Sequence, residues 1–216
     1  MVLNDRHQAG VQLGQKLSSY RGTASSILGL ARGGVAVART LADELQIPLD
    51  VLVVKKIGVP GQEELALGAL APDRVCSIDW RFAQRLGVDE DFVKSQIAIL
   101  NDQIKQKTLL YRKGRKPYRF REKTVILVDD GAATGATMEV AIKWLRKKHA
   151  KKIVVALPVV PKELLPKIVP EVDSLVVLET PEEFRSVGQF YKDFRQITDE
   201  EVVSLLSTKS QAPMTK

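Results

Sequence analysis

The chain has 216 residues, 44% of them hydrophobic and 27% charged, with a formal net charge of +7 and a pI near 9.5; this suits one compact α/β domain with an anionic partner, whether nucleic acid, membrane surface or phosphorylated metabolite. A lone cysteine, Cys76, excludes an internal disulfide and reads as a small buried apolar residue rather than a nucleophile. The opening MVLNDRHQAGVQLGQKL carries charges where an export signal needs an apolar run, and no segment approaches the length of a membrane span, so a cytoplasmic protein without a membrane partner is expected.

Residues 5–20 have helical periodicity with Val11, Leu13 and Leu17 inward, and RGTAS follows as a turn. SSILGL (25–30) predicts a short apolar strand, GGVAVARTLADELQ (33–46) a helix, and PLDVLVVKK (48–56) a second strand rich in β-branched residues. Together they make one βαβ unit. Residues 57–123 form an insertion in which IGVPGQEELALGALAP has the glycine and proline content of a mobile loop. Within it, 88–113 predicts a helix with Phe92, Ile99 and Ile104 among its apolar positions. A second unit runs through TVILVDD (124–130), the helix ATMEVAIKWLRKK (136–148) and the strand KIVVALP (152–158), with SLVVLE (174–179) a further strand. Apolar runs without strict alternation are strands covered on both faces, so the predicted fold is an open, mainly parallel sheet flanked by helices. One domain is expected over 1–206 with its core at about 25–180, and the tail STKSQAPMTK (207–216) has too little to bury to stay ordered.

The segment 125-VILVDDGAATGATMEV-140 concentrates the chemistry. Asp129 and Asp130 emerge at the carboxyl end of a strand, where open α/β sheets bind ligands. The small-residue loop behind them lets backbone amides converge on an anion at a helix N-terminus, with Thr134 and Thr137 as further donors. Two carboxylates would repel a phosphate unless they face ribose hydroxyls or hydrated Mg2+. A sugar phosphate satisfies both halves. The competing reading, a DDG turn followed by a threonine cap, accounts for the parts separately but not for their ordered combination. The pattern is neither a GxGxxG dinucleotide loop nor a Walker loop.

This arrangement resembles the signature of the type I phosphoribosyltransferases, which bind 5-phosphoribosyl 1-pyrophosphate (PRPP). GLARGGVAVA, VVKKIGVPGQEELALGALA and PEEFRSVGQFYKDFRQITDEEV extend the resemblance over most of the chain, towards a widespread bacterial branch of that family. The resemblance implies that Asp129 and Asp130 bind the ribose hydroxyls, and that Gly131, Ala132, Ala133, Thr134, Gly135, Ala136 and Thr137 form the PRPP loop around the 5-phosphate. It implies a pyrophosphate loop at Ala31, Arg32, Gly33 and Gly34, assisted by Lys55 or Lys56 with Lys56 preferred, whereas alone these would read as a glycine-rich turn and strand-end lysines. It also implies a flexible loop at 58-GVPGQEELALG-68 that closes over the site, in which Glu63 or Glu64 would assist proton removal, although exposed glutamates are commonplace. Mg2+ would be held through PRPP, with water bridging it to the aspartates and no side chain ligating it directly. The expected reaction displaces pyrophosphate with a nitrogenous acceptor, a nucleobase above all, in a homodimer whose long helix at 88–113 offers the surface.

Ala133 stands where the hypoxanthine-guanine enzymes carry an aspartate, which counts against their mechanism of acceptor activation. The small hood over the acceptor would come from the N-terminal region and 181–206, where Phe184, Phe190, Tyr191 and Phe194 are candidates to stack on a planar ring or else to pack ordinarily. RKGRKPYRFREK (112–123) raises a different possibility, a nucleic-acid surface with Tyr118 and Phe120 stacking bases, on a regulator that keeps the PRPP site. A solvated basic linker is the preferred reading of that segment.

Overall fold

A computed structural model describes residues 2–207, with the side chains of Glu63 and Glu64 outside that description. In chain order the elements are α1 (Arg6–Lys16), β1 (Ser26–Leu30), α2 (Gly33–Leu45), β2 (Leu49–Leu52), β3 (Lys55–Val59), β4 (Gln62–Ala71), β5 (Val75–Ile78), α3 (Trp80–Arg85), α4 (Glu90–Tyr111), β6 (Thr124–Val128), α5 (Ala136–Lys147), β7 (Lys152–Val159), α6 (Leu165–Ile168), β8 (Ser174–Glu179) and α7 (Asp199–Ser207). No helix among them is long and apolar enough to cross a membrane. Ser207 still belongs to α7, and the rest of the tail expected at 207–216 lies outside the described residues.

The main sheet has the order β2-β1-β6-β7-β8 and every pair in it is parallel. Its strands read as apolar runs because both faces are buried. Ile27, Ile126 and Val154 join one apolar cluster with α1, α2 and α7, while their neighbours Leu28, Leu127 and Val155 join a second with α5. The long crossover helices then place both strand-to-helix turns, after β1 and after β6, at the same edge of the sheet.

The insertion differs from its expected form. The strand predicted over 48–56 ends at Leu52, and Lys55 and Lys56 open β3 in a separate antiparallel sheet ordered β3-β4-β5. The expected loop at 58–68 is a β-hairpin: Pro60 and Gly61 form its tip, Gly61 has φ of +72°, as the third position of a type II turn requires, and β4 returns along β3. Register shifts at Gly58 break the regular alternation of β3. On α4, Ile104 is buried and Phe92 packs against the core, but Ile99 is 52% exposed; on α1, Leu13 and Leu17 are buried while Val11 is only half-buried. Cys76 is half-buried in β5 rather than fully enclosed.

The aromatic residues of the basic segment are committed to the interior. Phe120 is buried, Tyr118 lies edge-on to Trp144 at 5.0 Å, and the Tyr118 hydroxyl donates to the Val51 carbonyl at 2.6 Å. Arg112 covers the Tyr118 ring at 3.6 Å and pairs with Asp50 through two hydrogen bonds of 2.8 Å. The rings proposed for base stacking are therefore packed against α5 and β2.

Candidate functional site

Asp129 and Asp130 follow directly on β6, so the buried strand fixes where they emerge. The Asp130 backbone N–H donates to Asp129 Oδ1 at 2.9 Å, which turns the first carboxylate back over the chain. Asp130 is held from outside the sheet. Arg6 at the start of α1 donates from Nε to Asp130 Oδ2 at 2.8 Å, places a terminal nitrogen in ion-pair contact with the same oxygen at 2.8 Å, and donates from its other terminal nitrogen to the Arg195 carbonyl at 2.9 Å. The Arg6 guanidinium lies over the Phe194 ring at 4.1 Å, and the Tyr191 hydroxyl donates to the Asp130 carbonyl at 2.7 Å.

Burial first, and the neighbouring Asp130 charge second, push the Asp129 carboxyl well above the usual carboxylate range. Burial also raises Asp130, with Arg6 opposing the rise. The pair is thus poorly hydrated, with one buried counter-charge between two acids. Such a site gains from a ligand that brings hydroxyl donors or a cation to the carboxylates.

The turn after β1 packs onto this pair. Ala31 N–H donates to the Leu52 carbonyl at 2.9 Å, the Ala31–Arg32 peptide is cis, and Gly33 and Gly34 begin α2. A Cβ on Gly33 would collide with the Asp130 carboxylate, and one on Gly34 would lie 2.8 Å from both the Asp129 Cα and the Val128 carbonyl oxygen. Both glycines are required because no side chain fits between the two turns. Two segments almost a hundred residues apart in sequence, each suited to an anion, therefore meet at the strand ends.

The loop after Asp130 divides into a structural and an open part. Ala132 is buried and its N–H donates to the Val159 carbonyl at 3.0 Å, so it is not available to a phosphate, contrary to the expectation that the loop engages one from Ala132 onward. Gly131 is equally enclosed, against Val187 and Val159. Ala133 and Thr134 are exposed, Gly135 turns the chain with φ of +78°, and Ala136 and Thr137 enter α5. The first-turn N–H groups of that helix have no carbonyl four residues behind them within the helix, which leaves them for an anion.

Of the remaining candidates, Arg32 is exposed, Lys55 half-buried and Lys56 exposed. The lysines head a strand of the small sheet rather than ending one in the main sheet, and strand alternation sends them to opposite faces. Glu63 and Glu64 lie in β4, so the backbone there is strand rather than loop, and their side chains are outside the described residues. The two terminal regions do come together: Leu3 N–H donates to the Phe190 carbonyl and Lys192 N–H to the Leu3 carbonyl, each at 2.8 Å. All four aromatic candidates are packed, with Phe184 stacked on Phe190 at 5.7 Å. Phe190 is buried, Tyr191 is buried and tied to Asp130, and Phe194 stacks on Tyr191 at 5.0 Å. Phe184 lines a cavity of about 550 Å³ together with Ala133, Thr134, Pro161 and Glu163.

The sequence and the fold have counterparts among known proteins. A family model for the phosphoribosyl transferase domain matches residues 11–179. The chain belongs to the phosphoribosyl transferase family. Two Mycobacterium tuberculosis proteins, from strains CDC 1551 and H37Rv and each named provisionally as a phosphoribosyl transferase, are 39% identical over 208 residues, covering 95% of this chain and 46% of theirs. The chain thus spans about half the length of these relatives. The crystal structure of TT1426 from Thermus thermophilus superposes with a TM-score of 0.78 at 35% identity, covering 95% of this chain and 98% of that one. AQ2163 from Aquifex aeolicus, at 12% identity and a TM-score of 0.51 over 85% of this chain and 78% of its own, shares the fold. The matched span includes both glycine-rich turns and the paired aspartates, but it begins after Arg6 and ends before Tyr191.

Proposed function

We propose that this phosphoribosyl transferase family member transfers the 5-phosphoribosyl group of PRPP to a nitrogenous acceptor, a nucleobase above all, and releases pyrophosphate. The observation that carries the reading is the close approach of Gly33 and Gly34 to Asp130 and Asp129, which sets an Arg-bearing turn beside the carboxylates that lead into the loop before α5. In this reading the aspartates accept hydrogen bonds from the 2- and 3-hydroxyls of the ribose. The amides from Ala133 to Thr137 take the 5-phosphate, and the turn from Ala31 to Gly34, with Arg32, takes the pyrophosphate. Lys55 or Lys56 adds charge from β3.

The C1–O bond to pyrophosphate breaks as the acceptor nitrogen bonds to C1, and the acceptor's proton leaves to solvent or to a nearby base. Positive charge develops on the ribose ring during this step, so the two carboxylates would stabilise it while Arg32 stabilises the departing anion. Holding the two reactants in line would contribute on the order of 7 kcal/mol. Mg2+ suits the site as a companion of PRPP: the aspartates offer hard oxygen ligands for its water shell, and no group of three or more His, Cys, Asp or Glu among the described residues is placed to hold it alone. When bound, it would neutralise pyrophosphate charge.

The acceptor is assigned to the cavity beside Ala133, where the Phe184 ring and Glu163 would meet a planar, hydrogen-bonding molecule. Pairing of two copies through α4, which exposes Ile99, Leu109 and Leu110, belongs to the same reading and is checked by the solution mass. The test of the activity is a pyrophosphate-release screen with Mg2+ and PRPP across purines, pyrimidines and small amines. Turnover with one acceptor supports transfer, whereas PRPP binding without turnover across the panel points to a PRPP-responsive regulator.

A further inference from the structure

Asp199 opens α7, 167 residues after Arg32 in sequence, yet it reaches the turn after β1. Arg32 caps α2, is exposed, and places a terminal nitrogen 4.0 Å from Asp199 Oδ1. That separation allows charge attraction but is too long for a hydrogen bond. The guanidinium is therefore steered without Asp199 committing its donors, and among the described residues no hydrogen bond to another group holds them. Asp199 is itself fixed from α4, with Lys107 donating to Oδ2 and the Tyr111 hydroxyl to Oδ1. At the far end of α7, Arg115 donates to the Leu206 carbonyl while another of its nitrogens donates to the Leu49 carbonyl at 2.6 Å in β2. The helix carrying Asp199 is thus tied down at both ends.

We propose that Asp199, held by Lys107 and Tyr111, is a positioning residue that aims Arg32 at the pyrophosphate group of the bound substrate; this rests on the phosphoribosyl-transfer reading above. Two observations favour orientation over simple stabilisation. An ion pair as exposed as Arg32–Asp199 adds little to folding, and Lys107 and Tyr111 would hold α7 in place without Arg32. The hydrogen bond from Lys107, then that from Tyr111, holds the Asp199 carboxyl below its ordinary range, so the steering charge persists across the neutral range.

The test compares three ligands by calorimetric titration in the presence of Mg2+: PRPP, pyrophosphate, and ribose 5-phosphate, which lacks the group that Arg32 would hold. Asp199→Asn tests the steering, and Asp199→Asn with Lys107→Gln tests it at unchanged net charge. Both variants are expected to lose affinity for PRPP and pyrophosphate on the order of fivefold or more while binding ribose 5-phosphate as wild type does. Added to Arg32→Ala, Asp199→Asn should have no further effect, because the side chain it acts through is gone. Unchanged pyrophosphate affinity in both variants, tighter binding by Asp199→Asn, or a parallel loss for ribose 5-phosphate would each overturn the proposal. Wild-type protein that binds no PRPP would overturn the transfer reading and the role of Asp199 with it, whereas normal wild-type binding with an unaffected variant removes the role of Asp199 alone.

Discussion

Replacing Arg6 with leucine removes the one cation bonded to Asp130 among the described residues. Four contacts disappear together: a charge-assisted hydrogen bond from Nε to Oδ2 and an ion-pair contact from a terminal nitrogen to the same oxygen, each at 2.8 Å, a hydrogen bond to the Arg195 carbonyl at 2.9 Å, and the contact over Phe194 at 4.1 Å. Hydrogen bonds to charged groups contribute about 1.5–3 kcal/mol and a cation over an aromatic face about 0.5–1 kcal/mol, so Arg6→Leu should cost about 3 kcal/mol after the leucine recovers some apolar contact. The loss should also depend on pH. Without Arg6 the largest influence opposing burial at Asp130 is gone, so its carboxyl in the folded variant titrates higher still, while in the unfolded chain it titrates near the ordinary 3.8. A folded pKa raised above the unfolded value means that stability falls as pH rises between the two, so the deficit should be fully developed near neutrality and shrink toward acid. Urea unfolding of wild type and variant at about pH 8 and about pH 5 should show a difference in deficit on the order of 1 kcal/mol or more. A deficit below about 1 kcal/mol, or one that does not change with pH, would refute the account of Arg6 as the counter-charge that holds Asp130.

Asp129→Asn should have the opposite effect on stability. Its carboxyl is raised by burial, so in wild type stability falls as pH rises above 3.8; the isosteric amide keeps the acceptor for the Asp130 N–H and should gain about 1–2 kcal/mol at neutral pH, with the gain vanishing toward acid and PRPP binding lost. Urea unfolding and titration on the same samples check both halves, and a destabilised variant would contradict the assignment. Gly33→Ala drives a methyl group into the Asp130 carboxylate and should cost about 1–3 kcal/mol while weakening PRPP binding more than roughly tenfold; a variant indistinguishable from wild type would show that the two turns are not in register. Phe120→Ala empties a buried position beside Trp144 and Tyr118 and should cost about 3–5 kcal/mol. Random RNA titrated over a salt series should not distinguish that variant from wild type, and a selective loss of RNA affinity without loss of stability would restore the nucleic-acid reading of the basic segment.

What can be read from the sequence is local. The parallel sheet is legible because 25–30, 124–128 and 152–158 are apolar runs bounded by turn residues, and the paired aspartates are legible because strand, acids, small-residue loop and helix follow each other without interruption. Features made by distant segments are not. Arg6 meets Asp130 across 124 residues, Tyr191 across 61, and Asp199 comes back to Arg32 from the last helix, and nothing in the local sequence around any of them names its distant partner. The hairpin at 55–71 reads as a mobile loop because Pro60 and Gly61 at its tip, with further glycines in both strands, mask the strand pattern, and the register shifts at Gly58 interrupt its alternation. Ile99 misleads for a different reason: helical spacing identifies an apolar face, but α4 meets the body of the protein along only part of that face, leaving Ile99 and Leu109 outside.

In the phosphoribosyl-transfer reading the two glycine-rich turns and the aspartate pair form one PRPP site. Calorimetric titration of Mg2+ and PRPP into wild type and into Asp129→Asn/Asp130→Asn tests it most directly. The account predicts saturable one-to-one binding to wild type and none to a double variant that unfolds as cooperatively as wild type; equal binding to both proteins, or no binding to wild type, would contradict it.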